Sequence, residues 1–185
     1  MRESEVLGKY LVVEGFKNVK IKDIDDLFNS IGSRLKSSHI QILDANLIAG
    51  FEHIYFAVLN ALKAFEAGIN ISKNLEIEIL LFASGQDQIK RAIEVLGVKQ
   101  SSHKIAVVIV SDSREQALST LNAISEIVGG EPDHSVIDLN KEKIPAIINA
   151  FKISREEIES SMRDSIEDAI KNVLIERAAL LVTQR

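Results

Sequence analysis

The chain has 185 residues, of which 46% are hydrophobic and 26% charged, with a net charge of −5 and no cysteine. This length and composition predict one folded domain with a sizeable core, and they exclude a disordered chain. The negative net charge argues against a protein that coats DNA or RNA, and the lack of cysteine excludes disulfides and zinc ribbons. The N-terminal segment is mixed and charged, so we expect no signal peptide, no membrane span and a cytoplasmic location.

The N-terminal quarter of the chain predicts short strands around one helix. Tyr10–Phe16 and His39–Leu43 are predicted strands, and Val19–Lys22 alternates apolar residues with lysines, as a half-buried strand does. Asp23 is the expected N-cap of a helix over residues 24–35.

Residues 46–67 carry the strongest helical pattern in the first half of the chain, and Gly68 is the expected C-cap. Apolar residues recur there at steps of three and four: Leu47, Phe51, Ile54, Val58, Leu62 and Phe65. A second stripe is formed by Ala57, Ala61 and Ala64. This stripe either packs closely against a sheet or presents a smooth face to a partner helix.

The middle and the end of the chain continue to alternate strands and helices. Leu75–Phe82 is rich in Ile and Leu and predicts a strand, and Lys104–Val110 is the expected central strand, covered on both faces. The other predicted elements are a helix from about Gln86 to Leu96 that Gly97 ends, a helix over 114–128 capped by Asp112 or Ser113, a break at Gly129–Pro132, a weak edge strand Ser135–Leu139 and a short helix from Pro145 to Phe151.

A capping box formed by Ser154 and Glu157 begins the last helix, whose apolar stripe continues to Leu181. If it is unbroken to Val182, this helix is roughly 43 Å long at ~1.5 Å per residue. These elements predict an α/β fold, with a mixed or partly parallel central sheet of about five strands covered by helices. We expect residues 1–185 to form a single domain with a long C-terminal helix.

The most suggestive local feature is the predicted strand–turn–helix around Ser84-Gly85. Free amides at a helix N-terminus can bind an anion, and glycine lets a ligand approach the backbone closely. The first helical turns add polar and cationic side chains: Gln86, Gln88, Lys90 and Arg91. A complete phosphate loop needs more glycines and a lysine–hydroxyl pair, so both a plain tight turn and an anion site stay open.

Catalytic constellations are weak in this sequence. The histidines, at positions 39, 53, 103 and 134, have no metal-binding spacing. Ser111-Asp112-Ser113 follows a predicted strand and precedes a helix, so helix capping explains it better than a nucleophile beside an acid. We therefore expect a protein that is not an enzyme, with no catalytic residue, no metal and no cofactor.

Residues 41–98 contain an ordered series of short segments: Gln41–Ala45, Asn60–Phe65, Asn70–Ser72, Glu78–Gly85, Gln88-Ile89 and Leu96–Val98. In this order they resemble the kinase-binding subunit of the KEOPS tRNA-modification complex, a TPRKB-like family, in its archaeal type. Glu176–Leu181 near the C-terminus is also similar to archaeal members. The similarity covers most of the chain but is specific only in 41–98.

The resemblance implies a non-catalytic subunit that binds and regulates the small atypical kinase of KEOPS, and through it meets the other subunits. It also implies contact with the single-stranded 3′ CCA end of tRNA during threonylcarbamoyl-adenosine modification. The positions carried over are Asn70, Ser84, Gly85, Gln88 and Ile89, to which the turn adds Gln86, Lys90 and Arg91. We expect no DNA and no membrane among the partners.

The kinase-facing surface is predicted on the C-terminal helix, because its apolar residues continue to the chain end, where core packing usually fades. Ile175, Leu180 and Leu181 are the predicted contacts. One alternative is a small phosphate- or nucleotide-binding enzyme that uses the Ser84-Gly85 turn. Another is a purely structural, dimerising domain.

Overall fold

The computed structural model of the chain describes residues 1–35 and 38–184. Its strands are β1 (Arg2–Val6), β2 (Lys9–Lys17), β3 (His39–Asp44), β4 (Ile105–Ser111) and β5 (Glu131–Pro132). Its helices are α1 (Ile24–Arg34), α2 (Phe51–Ala67), α3 (Leu75–Ser84), α4 (Ile89–Leu96), α5 (Arg114–Val128), α6 (Ile144–Phe151), α7 (Arg155–Ser161) and α8 (Ile166–Leu180). The predicted α/β class, with about five strands and a C-terminal helix, is confirmed.

By its internal contacts the chain forms two compact units. The first unit comprises Met1–Ala45 and Val98–Val136 and contains the sheet with α1 and α5. The second comprises Asn46–Gly97 and Ile137–Arg185 and, in its described part, is helical. The assignment of the whole chain to one domain stays a prediction.

The sheet of the first unit has the strand order β1-β2-β4-β3, with β5 paired to the end of β2. All pairs formed by the described residues are antiparallel, whereas the alternation of strands and helices also indicated parallel pairs. β1 and β2 form a hairpin with a tight turn at Leu7-Gly8, where both residues have positive φ. Two residues of positive φ suit the right-handed twist of paired strands.

The core of the first unit lies between the sheet and its two helices. β4 is buried along its whole length, which confirms the predicted central strand. Alternate residues of β2 and β4, among them Phe16 and Val107, pack with Ala117 and Ile124 of α5 in one apolar cluster. Ser113 caps α5 by accepting the amide hydrogen of Gln116, which confirms the cap predicted at Asp112 or Ser113.

Two strands predicted from the sequence, Val19–Lys22 and Ser135–Leu139, are wrong. Val19–Lys22 is not a strand, because Asn18 has a φ of 57° and turns the chain after β2 ends. Ser135–Leu139 is not a strand either. The Asp133 carboxylate accepts from both the backbone and the hydroxyl of Ser135, and this holds a 3₁₀ turn over His134–Ile137.

The second unit is built from helices that pack on one another. α2 packs against α3 and α8, and α3 also contacts α4 and α8. α2 begins at Phe51 rather than near residue 46, because Gly50 has a φ of 94° and a separate 3₁₀ turn precedes it. Gly68, at a φ of 68°, ends α2 in the left-handed conformation, as predicted.

The C-terminal segment forms two helices instead of one unbroken helix. The capping box of Ser154 and Glu157 is present at the start of α7. The chain is extended at Met162, and Ser165 then caps α8 by accepting the amide hydrogen of Asp168. Because Ser165 satisfies a new helix start, α8 is a separate helix of 15 residues.

Candidate functional site

The segment that leads into Ser84-Gly85 is a helix, so the predicted Leu75–Phe82 strand is wrong. The apolar run is almost entirely buried, and a helix buried on nearly all sides has the same continuous pattern as a central strand. Ser84 belongs to the last turn of α3 and is only 1% exposed. Gly85 follows it with a φ of 62°, the left-handed conformation that ends many helices.

Every carbonyl in the last turn of α3 has a hydrogen-bond donor. The Gly85 amide donates to Phe82 O at 3.2 Å and the Gln86 amide to Leu81 O at 3.1 Å, which is a Schellman motif. The Gln86 side-chain amide lies 3.5 Å from Ser84 O. His53 Nε2 lies 2.8 Å from Ala83 O. Ser84-Gly85 therefore ends a helix, and the anion site inferred from a strand–turn–helix loses its structural basis.

The alternative of a phosphate- or nucleotide-binding enzyme depended on that same strand–turn–helix, which the structure replaces with a helical hairpin. Helix amides become available only later, where α4 begins. Gln88 is the N-cap of α4, and its side chain makes no capping hydrogen bond. Asp87, Gln88, Lys90 and Arg91 are exposed, and Ile89 is 39% exposed. A polar and basic surface thus lies on the start of α4, beyond the turn itself.

Asn70 lies in the α2–α3 loop, at the opposite end of α3 from Ser84. α3 has 10 residues, which corresponds to a length of about 15 Å. The Asn70 side chain donates to Ser72 O at 2.9 Å. The fully buried Glu78 carboxylate accepts the amide hydrogens of Ile71 and Ser72 at 3.1 and 2.9 Å. The predicted RNA residues therefore form two groups rather than one.

The predicted kinase contacts on the C-terminal helix differ in exposure. Leu180 is 47% exposed and Ile175 is half-buried. Leu181 is 2% exposed and belongs to the interior of the protein, so it is not available as a surface contact. Ala178 is also buried there, which means that core packing continues to the end of α8.

Arg177 brings the end of α8 next to the α3–α4 turn. A Cβ atom on Gly85 would lie 3.7 Å from Arg177 Cβ, an ordinary van der Waals distance. The guanidinium of Arg177 donates to Phe151 O at 2.6 Å and pairs with the Glu157 carboxylate at 2.7 Å. The structure thus places the α3–α4 turn and the end of α8 side by side, while the Asn70 loop remains separate.

Comparison with known proteins identifies the family at this point. The model of a family described as "Kinase binding protein CGI-121" matches residues 16–180. The chain belongs to the CGI-121 family.

Two curated relatives agree with this assignment. The chain is 32% identical over 143 residues to "Regulatory protein Cgi121" of Methanocaldococcus jannaschii, a match that covers 77% of this chain and 85% of the relative. It is 34% identical over 113 residues to "KEOPS complex subunit Cgi121" of Pyrococcus abyssi, covering 58% of this chain and 64% of that protein. The resemblance seen in residues 41–98 is confirmed as family membership.

Three buried or half-buried polar residues of this CGI-121 chain hydrogen-bond to helix ends or to a loop of the second unit, and they were not singled out from the sequence. They are His53, Glu78 and Arg177. A histidine and a glutamate inside strongly apolar helices were a usable signal, because a polar group is buried only where partners satisfy it. His53 and Arg177 donate to the carbonyls of Ala83 and Phe151, 30 and 26 residues away, which no local pattern reveals, whereas the amides bound by Glu78 lie only six and seven residues before it.

His53 is 0% exposed, and burial lowers its pKa to about 4, an effect that the Ala83 carbonyl opposes and the Lys143 charge reinforces. The Ala49 amide donates to Nδ1 at 3.3 Å. Since that nitrogen accepts, the proton of the neutral ring is on Nε2, which donates to Ala83 O. The histidine thus links α2 to the last turn of α3.

The residues weighed for catalysis have structural roles. Ser111 Oγ lies 2.6 Å from Ser38 Oγ, and Asp112 pairs with Lys9. Within residues 1–35 and 38–184, no three potential metal-ligating side chains come together. A search of the same residues finds no helix with the length and apolarity needed to cross a membrane.

Proposed function

We propose that this chain is a non-catalytic, regulatory subunit of a KEOPS-type complex, in which it binds a small protein kinase and helps to hold the 3′ CCA end of tRNA. The match of the CGI-121 family model to residues 16–180 carries the proposal. The relatives named as a regulatory protein and as a KEOPS complex subunit support it.

The kinase contact is proposed at the C-terminal end of α8, through Leu180 and the half-buried Ile175. An exposed leucine on a helix whose other face is packed has apolar area to bury against a partner. Protein interfaces gain most of their affinity from a few such apolar anchors. Leu181 is left out of this surface because it is already buried.

Capture of the kinase tests this contact. Leu180→Asp should weaken retention of a small KEOPS-type kinase by at least about tenfold, since a carboxylate would be buried in the interface. Met162→Asp is the matched control, because Met162 is 44% exposed and follows α7, away from the end of α8. A point change is preferable to truncation, which would also remove the buried Ala178 and Leu181.

The RNA contact is proposed at the start of α4. Gln88 and Ile89 would meet an unpaired base, while Lys90 and Arg91 would meet phosphates. Base edges and faces are reachable in the single-stranded CCA tail. Few basic groups lie here, so binding by the isolated chain should be weak and only slightly salt-dependent. Asn70 would contact a second point of the same strand, from the other end of α3.

Crosslinking to intact tRNA and to tRNA lacking CCA tests this contact. Arg91→Glu and Gln88→Ala should each reduce the crosslink to intact tRNA. Arg163→Glu provides a charge-matched control, since Arg163 is exposed in the connection between α7 and α8. Equal crosslinking of both RNAs by the unchanged chain, or an equal loss in the control, would refute the site.

A further inference from the structure

His53 is a fully buried polar side chain whose two ring nitrogens are both used. Nε2 donates to Ala83 O at 2.8 Å, and Nδ1 accepts from the Ala49 amide at 3.3 Å. The ring also meets Phe151 edge-on, at a centroid distance of 6.0 Å and an interplanar angle of 70°. Three neighbours from different parts of the second unit therefore fix the orientation of this imidazole.

The carbonyl that His53 binds belongs to the residue just before Ser84. Ala83 lies in the last turn of α3, where carbonyls have no partner further along the helix. The neighbouring carbonyls are satisfied locally, by Gly85 and Gln86 of the turn itself. His53, in contrast, donates to this helix end from another helix, α2. Its hydrogen bond anchors the end of α3 to α2, whereas the bonds from Gly85 and Gln86 stay within the turn itself.

We propose that His53 is a positioning residue for the surface at the start of α4. Its Nε2–H holds the end of α3, and thereby sets the direction in which the chain passes through Gly85 to Gln88 and α4. The inference rests on the proposed RNA contact at that surface. Burying an imidazole is unfavourable without partners, and here the bond is made to the helix end from which the chain leads through Gly85 to the proposed RNA residues of α4.

Two amide substitutions separate the hydrogen bond from the packing. His53→Gln can place its side-chain nitrogen near the position of Nε2 and so keep the donor to Ala83 O. His53→Asn is shorter and reaches only the position of Nδ1, so it loses that donor. Both lose the aromatic contact with Phe151. Ile54→Val is the control for a general loss of core packing, because Ile54 is buried next to His53 on α2 and has no side-chain hydrogen bond.

Hydrogen exchange of the Gly85 and Gln86 amides reports directly on the turn, since these amides form the Schellman motif. In His53→Asn we expect both to exchange at least about tenfold faster than in the unchanged chain, and in His53→Gln within about threefold of it. Ile54→Val should not change these two amides more than other α3 amides. Crosslinking to intact tRNA should fall in His53→Asn and be restored in His53→Gln.

The outcomes distinguish this inference from the proposed function. If the unchanged chain fails to crosslink to CCA, the RNA contact fails, and the exchange rates still decide whether His53 holds the turn. Similar exchange in the Asn and Gln variants, or a turn-specific effect in Ile54→Val, would overturn the inference. So would unchanged crosslinking in His53→Asn. If His53→Asn does not fold, the Gln variant decides: exchange like the unchanged chain supports the inference, and tenfold faster exchange overturns it.

Discussion

Arg177 and Glu157 form a forked ion pair, in which Nη2 lies 2.7 Å from Oε1 and 2.8 Å from Oε2 of the carboxylate. Glu157 Oε2 also accepts the Ser154 amide hydrogen at 2.8 Å, so the same carboxylate completes the capping box of α7. Nη1 of Arg177 donates to Phe151 O at the end of α6. One guanidinium therefore joins α6 and α7 to the part of α8 that lies beside Gly85.

Replacing Arg177 with alanine should lower the free energy of unfolding by about 2 kcal/mol, because charge-assisted hydrogen bonds to a carboxylate and a helix-end carbonyl are lost. Arg177→Lys should recover less than half of this, since an ammonium cannot donate in the same fork. Urea unfolding of the three proteins measures both values. A loss below about 0.5 kcal/mol for Arg177→Ala would mean that the pair behaves as an ordinary surface ion pair.

Gly85→Ala should cost about 1–2 kcal/mol of unfolding free energy, because an alanine is strained at a φ of 62°. The added Cβ would meet Arg177 Cβ at 3.7 Å, which is not a clash. Gly129→Ala is a matched comparison, since Gly129 has a φ of 61° and open space around it. Similar losses in the two variants are expected. A much larger loss at Gly85 would indicate a tighter contact with α8 than the structure has.

Acidification should destabilise the fold through His53. Its pKa is lowered to about 4 in the folded chain, from an ordinary value of 6.5, chiefly because burial disfavours the charged ring. The unfolded chain therefore binds the proton more readily. The contribution of the neutral His53 to stability is complete above pH 6.5 and is lost as the pH falls towards 4. The loss then amounts to roughly 3 kcal/mol, at ~1.4 kcal/mol per pKa unit.

Thermal unfolding of the unchanged chain and of His53→Gln, each between pH 7 and pH 4, isolates this effect. The glutamine variant does not titrate in that range, so its stability should fall less steeply with acid. Parallel pH profiles for the two proteins would show that His53 is not the group responsible.

Glu78→Gln should loosen the Asn70 loop. The buried carboxylate accepts the backbone amide hydrogens of Ile71 and Ser72 on one oxygen, Oε2, and the neutral amide oxygen of glutamine is a weaker acceptor than a carboxylate oxygen. We expect a loss of about 1–3 kcal/mol and faster hydrogen exchange at these two amides. Exchange at Gly85, at the other end of α3, should change far less. A uniform increase along α3 would instead indicate a general weakening of the helix.

Much of the fold could be predicted from the sequence where local signals were strong. The strands over Tyr10–Phe16, His39–Leu43 and Lys104–Val110 are confirmed, as are the caps at Asp23 and Ser154. β1 was missed, because its residues Arg2–Val6 are mostly polar and their pairing with β2 depends on a turn with a non-glycine residue at positive φ.

The error at Leu75–Phe82 had a different cause and affected the site. A continuous apolar run fits a buried strand or a buried helix, and the deciding signals were Asn74 before it, Glu76 and Glu78 in its first turn, and Gly85 after it. The family resemblance pointed to Gln88 and Ile89, and the basic residues that follow them added Lys90 and Arg91; the structure exposes all four positions. The contacts of His53 and Arg177 could not be predicted, because these side chains donate to backbone carbonyls at least 25 residues away.

The most direct test of the central claim is a titration of the purified chain into a purified small KEOPS-type kinase, with heat of binding and kinase activity measured on the same samples. The account predicts saturable binding that changes the kinase activity, and binding at least about tenfold weaker for Leu180→Asp but unchanged for Met162→Asp. No binding by the folded, unchanged chain at about 100 μM of each protein, with the activity unaltered, would contradict the account.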